Sequence, residues 1–371
     1  MSRQSIRDDG DWVSTTVEHH NVFGFPLLLK RDDIVTTPLW PSGNKRRKLH
    51  HWLHNPTAAL TNAKSVISCG GSQSNAMLAI AQLCSVFGRT RFEYVVRTLP
   101  SVLRAKPAGN LAAALALGMV LRELDADDYN RQRDHINAVA NRRPQHGEEA
   151  SAQVLHIAQG VLQRESLDGF AVLANELHAD AANAGLASRD NLICLVPCGT
   201  GAAALALHRC GVRVLAVPCV GDATYLAEQM TTQLAHPLPP CRNSHNRNHL
   251  LVDSLLPPIL SAGDGDTVRV PFAKPHAAML ECWQALHTQC GGGVDFDLIY
   301  TPRAFLGLQA AREHWRQERK DDSQNLKEEE SIVNRMLREL ESGESRLLFV
   351  HNGGVEGNAT QLERYKRAGL N

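Results

Sequence analysis

The sequence predicts an α/β protein built on parallel sheets with helices on both faces. Three observations predict it. Short apolar runs alternate with longer helical stretches along the chain. Two segments, Ser65–Ala76 and Leu192–Arg209, read as a strand, a Gly-rich turn and a helix start in direct succession. The length of 371 residues is enough for two domains of ordinary size. Sheets of this kind bind ligands at the carboxyl ends of their strands.

The elements follow in order. Candidate strands are Phe25–Lys30, Ser65–Cys69, Arg91–Val96, Met119–Leu121, Leu192–Pro197, Arg213–Val217, Leu298–Tyr300 and Leu347–Val350. Each is a short apolar run of the kind that parallel strands bury. Helical patterns lie between them at Lys45–Leu53, Gln73–Phe87, Leu111–Leu117, Leu167–Ala184, Ala202–Arg209, Ala223–Leu234, His276–Gln289, Gly307–Gln317 and Ile332–Glu341. Two stretches break the rhythm. Pro237–Pro275 is rich in Pro, His, Asn and Asp and reads as a long irregular connection. Arg312–Arg346 is heavily charged and reads as a solvated helical excursion. There is no internal repeat and no Gly/Ser linker.

Composition excludes several classes. Lys+Arg and Asp+Glu both total 39, so net charge gives no case for a nucleic-acid or anionic-membrane partner. The longest apolar run, Leu111–Leu121, is too short to span a bilayer. The N-terminal MSRQSIRDDGDW has no apolar signal core. Nine scattered cysteines without a CxxC pair fit reduced thiols, and so a cytoplasmic location. Cys241, His245 and His249 recur every four residues, but so polar a segment reads as a solvated loop, and no metal site is expected.

Four segments carry chemistry. In LICLVPCGTGAAALALHR, Cys198-Gly199-Thr200-Gly201 joins a buried strand to a small-residue helix. That arrangement offers free N–H groups and a helix N-terminus to an anion, most often phosphate. As text, Gly199-x-Gly201-x-x-Ala204, with Asp222 after the next strand, also matches a dinucleotide fingerprint. In SGNKRRKL, Lys45 and Lys48 share one helix face, with Asn44 expected as the cap. Only nine of the 39 basic residues are Lys, so two lysines three apart stand out from a generic basic patch. A lysine amine held near a helix N-terminus and other cations has a lowered pKa, which favours Schiff-base chemistry. In SVISCGGSQSNA, Ser72, Gln73, Ser74 and Asn75 offer hydroxyls and amides to a carboxylate or phenolate. Tyr300-Thr301 and His351-Asn352-Gly353-Gly354 place polar groups after strands.

Taken in order, KRDD, SGNKRRKL, CGGSQSN, GNL–LG, PCGTGAAALAL, DLIYTPRA and HNGG resemble the 1-aminocyclopropane-1-carboxylate deaminase/D-cysteine desulfhydrase family of pyridoxal-phosphate enzymes. The resemblance covers about residues 25–370. It implies two doubly wound open-sheet domains of the tryptophan-synthase β-like fold, with the site in the cleft between them. It also implies a larger cofactor-binding domain from residues 1–50 and 153–371 and a smaller one, 51–152, inserted in it. It makes Lys45 the Schiff-base lysine and Lys48 a neighbour of the cofactor phosphate. Asn75 would contact the ring O3′, and Gly199, Thr200, Gly201, Ala202 and Ala203 would form the phosphate loop. Ser74 would bind substrate carboxylate or assist proton transfer, beside Gln73, and Tyr300 would be an active-site tyrosine. Thr301 stands where deaminases usually carry Glu and desulfhydrases Thr, facing the pyridine nitrogen. The chain departs from the family at Ala202-Ala203 (usually Gly-Thr), Ala76 (the third position of an SNH stretch), Gly160-Val161 (Gly-Gly), Phe272–Pro275 (a Gly-rich segment) and Asn352 (Thr).

The expectation is a lyase or deaminase with pyridoxal 5′-phosphate as cofactor. It would act on a small amino acid by desulfhydrase-like β-elimination, giving a 2-oxo acid and ammonia, with sulfide if the substrate is cysteine. A hydroxyl at Thr301 leaves the ring nitrogen unprotonated more readily than a carboxylate would, which favours elimination. A homodimer is the expected assembly. Three alternatives stand beside this reading: cyclopropane ring opening, a non-catalytic relative that binds the cofactor or an amino acid, and a dinucleotide-dependent oxidoreductase.

Overall fold

The computed structural model describes residues 14–34, 40–54, 60, 62–88, 91–142, 153–234, 256–260, 271–321 and 330–370. Among them the strands are β1 (Val17–Val22), β2 (Phe25–Lys30), β3 (Ser65–Cys69), β4 (Arg91–Arg97), β5 (Val120–Leu124), β6 (Val154–His156), β7 (Leu192–Cys198), β8 (Arg213–Pro218) and β9 (Arg346–Val350). The helices are α1 (Gly43–Lys48), α2 (His50–His54), α3 (Asn75–Phe87), α4 (Ser101–Ala105), α5 (Gly109–Ala116), α6 (Ala126–Asn141) and α7 (Asp168–Asn183). They continue with α8 (Ala202–Arg209), α9 (Ala223–Leu234), α10 (Ala277–Gln289), α11 (Thr301–Asp321), α12 (Ile332–Ser342) and α13 (Asn358–Arg367).

One sheet has the order β1-β2-β9-β7-β8 and the other β5-β4-β3-β6. All pairings are parallel except the β1–β2 hairpin. The central strands β2, β9 and β7 of the larger sheet are buried on both faces because they are largely apolar, and the period of two sorts them. Leu27, Leu29, Leu347 and Phe349 pack under α10, α11 and α12. The residues between them, Leu28 and Leu348, pack with α7 and α8. In the smaller sheet Val66, Tyr94 and Val96 meet α3 and α5, while Val95 meets Tyr129 and Ile136 of α6.

Several sequence expectations change here. Leu298–Tyr300 is not a strand. Asp297 takes the N–H groups of Ile299, Tyr300 and Thr301, so this backbone is capped by a carboxylate instead of paired in a sheet. The expected boundary at residue 152 would assign β6 to the larger sheet, yet β6 pairs with β3 of the smaller one. The helix expected over Lys45–Leu53 is two helices, broken at the buried Leu49. The Arg312–Arg346 segment is not simply solvated, because Trp315, Met336, Leu337 and Leu340 belong to the core of the larger sheet. Residues 322–329 of it lie outside the described residues, as do 237–255 and 261–270, with Cys241, His245 and His249 among them. No helix among the described residues is long and apolar enough to cross a membrane.

Candidate active site

The carboxyl ends of β2, β7 and β9 and those of β3 and β6 supply the residues singled out by the sequence. The turn after β9 is the wedge that assembles them. Gly43 has φ +57°, and a Cβ there would lie 2.0 Å from the Asn352 carbonyl oxygen. Asn44 N–H donates to that same oxygen at 3.0 Å. Gly354 has φ +79°, and a Cβ there would lie 2.4 Å from Asn75 Nδ2. Only glycine satisfies both the left-handed backbone and the contact. The turn therefore holds α1, which carries Lys45, and the start of α3, which carries Asn75, against one surface. The cap of α1 is Ser42 in extended conformation, not Asn44 as expected. Asn44 lies inside the first turn because its N–H is needed by Asn352. His351 is fully buried, with Nε2 bonded to the Asp295 carbonyl and Nδ1 accepting from Gly353 N–H. It is a structural histidine that shapes the wedge.

Lys45 is partly buried, and its amine makes no hydrogen bond or ion pair with a described residue. Burial pushes its amine down to about 8. Lys48 is buried and donates to the Gly160 carbonyl at 2.9 Å. Burial, and then the charge of Lys45, hold its pKa well below the usual lysine range. Two neighbouring amines without a nearby carboxylate favour the neutral form or an anionic guest. At Val161, where the resembled family has Gly, the chain keeps φ +56° with a β-branched residue. The backbone that presents the Gly160 carbonyl to Lys48 is thus kept despite the substitution.

Asn75 is oriented by a network that the sequence motifs did not reveal. Asn110, fully buried, donates through Nδ2 to Asn75 Oδ1 at 2.7 Å and to the Gln73 carbonyl at 3.0 Å. Gln73 Oε1 accepts from Asn110 N–H, and Gln73 Nε2 donates to the Ala108 carbonyl. With its oxygen occupied, Asn75 has its Nδ2–H donors left for a guest, which suits a phenolate. Gln73 is thereby a scaffold residue, and Ser74 caps α3 by accepting from Ala76 N–H. Asn110 was legible only as part of the GNL string. We expect Asn110→Ala to leave two acceptors without their partner and to lower stability by about 1–3 kcal/mol in urea denaturation.

The loop after β7 is shaped as expected. Gly201 has φ +77° and caps α8, and a Cβ there would lie 2.5 Å from Met230 Cε. The N–H groups of Gly199, Thr200 and Gly201 have no acceptor among the described residues. Ala202 and Ala203 open α8, whose first N–H groups also lack intrahelical partners. The Thr200 carbonyl is taken by Gln233 Nε2 at 2.6 Å. Tyr300 stands over this loop, its hydroxyl 3.7 Å from where a Gly199 Cβ would be. Asp222, the acid of the dinucleotide fingerprint, caps α9 by accepting from Tyr225 N–H at 2.8 Å. It has a structural role.

Thr301 corrects an expectation. Its side chain is fully buried, and Oγ1 donates to Asp297 Oδ2 at 2.5 Å. The hydroxyl proton is committed to a carboxylate, so toward a ring nitrogen the oxygen could only accept. The Thr301 hydroxyl is thus not free to leave such a nitrogen unprotonated.

The residues present fit pyridoxal phosphate. A free amine at Lys45 meets an aldehyde, free loop N–H groups with Lys48 meet a phosphate, and the Asn75 amide meets a phenolate. No group of His, Cys, Asp and Glu among the described residues could hold a metal ion.

No family model matches the chain. It is 25% identical over 344 residues to a curated Thermotoga maritima protein named "Putative 1-aminocyclopropane-1-carboxylate deaminase", covering 92% of this chain and 93% of that one. Among solved structures, the apo form of Escherichia coli diaminopropionate ammonia lyase matches with TM-score 0.54 and 12% identity, over 98% of this chain and 89% of that one. A Rhizomucor miehei L-serine ammonia-lyase matches with TM-score 0.52 and 15% identity, over 96% and 98%. Maize serine racemase matches with TM-score 0.51 and 14% identity, over 96% and 93%. The chain has the fold of these proteins, the tryptophan-synthase β-like arrangement of two open sheets.

Proposed function

We propose that this relative of the 1-aminocyclopropane-1-carboxylate deaminase/D-cysteine desulfhydrase family is a pyridoxal-phosphate-dependent lyase. It releases ammonia and a 2-oxo acid from a small amino acid by β-elimination, as a cytoplasmic homodimer. The observation that carries the reading is the Lys45 amine, lowered toward neutrality and without a partner among the described residues, on the helix wedged against Asn75. The chemistry supplied by the bound cofactor is an electron sink conjugated to Cα.

The chain's own residues do the rest. Lys45 would hold the cofactor aldehyde, and its Nζ would be the base for the Cα proton. Gly199, Thr200, Gly201 and the start of α8 bind the phosphate through N–H groups, with Lys48 alongside. Asn75, fixed by Asn110, donates to the phenolate. Ser74 and the Gly-rich turn before it hold the substrate carboxylate. Holding the reactants in this way is worth about 7–11 kcal/mol of barrier in well-oriented systems. Overall, Cα loses a proton, the Cβ–X bond breaks with its electron pair on X, and one water releases ammonia from the resulting enamine.

A second reading, cyclopropane ring opening, is favoured by the name of the Thermotoga relative. The absence of Glu after Tyr300 speaks against it. The test is an absorbance spectrum of the purified protein, then a panel of amino acids with 2-oxo acid detection. Cofactor absorbance with turnover of cysteine, serine or their derivatives upholds elimination, and turnover of the cyclopropane substrate alone replaces it with ring opening. A protein that stays colourless with added cofactor sinks both.

A further inference from the structure

Beside the proposed site lies a cavity of about 410 Å³ whose arginines no step above uses. It is within the usual range for a small-molecule pocket. It opens over the carboxyl ends of β3, β4 and β6, and Gly71, Ser72, Arg97, Tyr129, Arg133 and Gln159 line it. The turn Gly70–Ser72 that forms one wall is the turn leading to Ser74 and Asn75. The cavity is therefore continuous in sequence with the segment assigned to the substrate carboxylate.

Its lining is rich in donors. The N–H groups of Gly71 and Ser72 have no acceptor among the described residues. Arg97 lies over the Tyr129 ring at 5.3 Å and donates to Asn130 Oδ1, with no carboxylate partner among the described residues. Arg133 is paired with its neighbour in sequence, Asp134, whose side chain is largely exposed. The Tyr129 side chain is buried, but its hydroxyl makes no hydrogen bond to a described residue, and burial keeps it protonated. No Asp or Glu lines the cavity. Two guanidinium groups, a phenol and free N–H groups together suit an anion, and guanidinium is the group best matched to carboxylate and phosphate.

We propose that this cavity is a second anion subsite, and that the substrate is an amino acid whose side chain or leaving group carries its own negative charge. The α-carboxylate takes the turn amides, and the second anionic group, a phosphate or a carboxylate, faces Arg97 and Arg133. The inference rests on the proposed function for the first half of that statement. The subsite itself rests on the cavity alone.

The experiment compares O-phosphoserine and aspartate with serine, in both enantiomers, on the cofactor-loaded protein. Calorimetry reads affinity and 2-oxo acid release reads turnover. At least one dianionic ligand is expected to bind tenfold or more tightly than serine. Arg97→Gln and Arg133→Gln are each expected to narrow that ratio severalfold, and the double variant to bring it near one. Serine binding as well as or better than both dianionic ligands overturns the subsite, as does a ratio unmoved in the double variant. The two readings fail separately. A protein that takes up no cofactor but still prefers O-phosphoserine through Arg97 keeps the subsite and loses the proposed lyase. A lyase with no such preference loses only the subsite.

Discussion

Lys45→Ala is expected to abolish the visible absorbance of the cofactor–lysine adduct. It should also lower turnover by at least the about 10²–10⁴-fold that a positioned base supplies. The fold should survive, because the substitution removes a charge from a buried place and leaves the wedge at Asn352 and Gly354 untouched. The sign follows from linkage. Burial lowers the Lys45 amine to about 8, below its ordinary 10.5. Between these values the unfolded chain binds more protons than the folded one, so stability rises with pH across that window. Below pH 8 the burial penalty is fully present, and above 10.5 it is gone. The alanine variant should therefore be more stable than the parent at pH 7, with the difference shrinking toward pH 10.5. Thermal denaturation of the two proteins at both pH values checks this. Uptake of added cofactor by the unloaded parent should quicken from pH 7 to 9, with its midpoint near 8, because only the neutral amine attacks an aldehyde. A flat profile would remove Lys45 from that role.

How much of this could be read beforehand depends on which forces shape each element. β2, β3, β7 and β9 are apolar and buried, so composition alone located them. The Gly199–Gly201 turn was legible because its glycines serve backbone geometry, which sequence records directly. β1, with the sequence VEHHNV, is a half-exposed edge strand and carries no apolar run. Only its hairpin partner makes it a strand, through a turn in which Phe23 and Gly24 both have positive φ. α6 was missed because its mean character is polar and only Tyr129 and Ile136 are buried on it. Its cap was available, since Asp125 accepts from Asp127 and Asp128 N–H. Leu298–Tyr300 was misread because three apolar residues suit a strand equally well, and Asp297 decided otherwise. At the site, Lys45 and Asn75 were visible as motif residues. Asn110 was not, because its role lies in two hydrogen bonds across 35 and 37 residues of chain.

Asp32→Ala is the substitution expected to damage stability most. Arg47, buried two residues from Lys45, makes a bidentate pair with Asp32: Nε to Oδ2 at 2.7 Å and Nη2 to Oδ1 at 2.6 Å. The same guanidinium donates to Glu176 of α7 at 2.6 and 2.9 Å. Fully buried Lys30 bonds Asp180 at 2.7 Å and stands 3.0 Å from Glu176. Three carboxylates thus serve two cations, and burial raises the pKa of Asp180, which offsets part of the excess negative charge. Removing Asp32 takes away two charge-assisted bonds from the buried Arg47 guanidinium, whose bonds to Glu176 remain. Loss of one member of a buried pair costs about 3–5 kcal/mol. Chemical denaturation should show that loss. The double variant Asp32→Leu with Arg47→Met should recover part of it, because removing both charges also removes their desolvation cost while Glu176 keeps Lys30 as a partner. Cofactor affinity should not recover with it. Asp32 also accepts Gly43 N–H at 2.7 Å through its carbonyl, so the β2 end and α1 stay joined by backbone alone. Without Arg47 reaching Asp32 and Glu176, α1, which sets the direction of Lys45, loses its side-chain anchor to the β2 end and α7. A double variant as stable as the parent but binding pyridoxal phosphate tenfold more weakly would assign the cluster to orienting α1. Full recovery of both would assign it to stability alone.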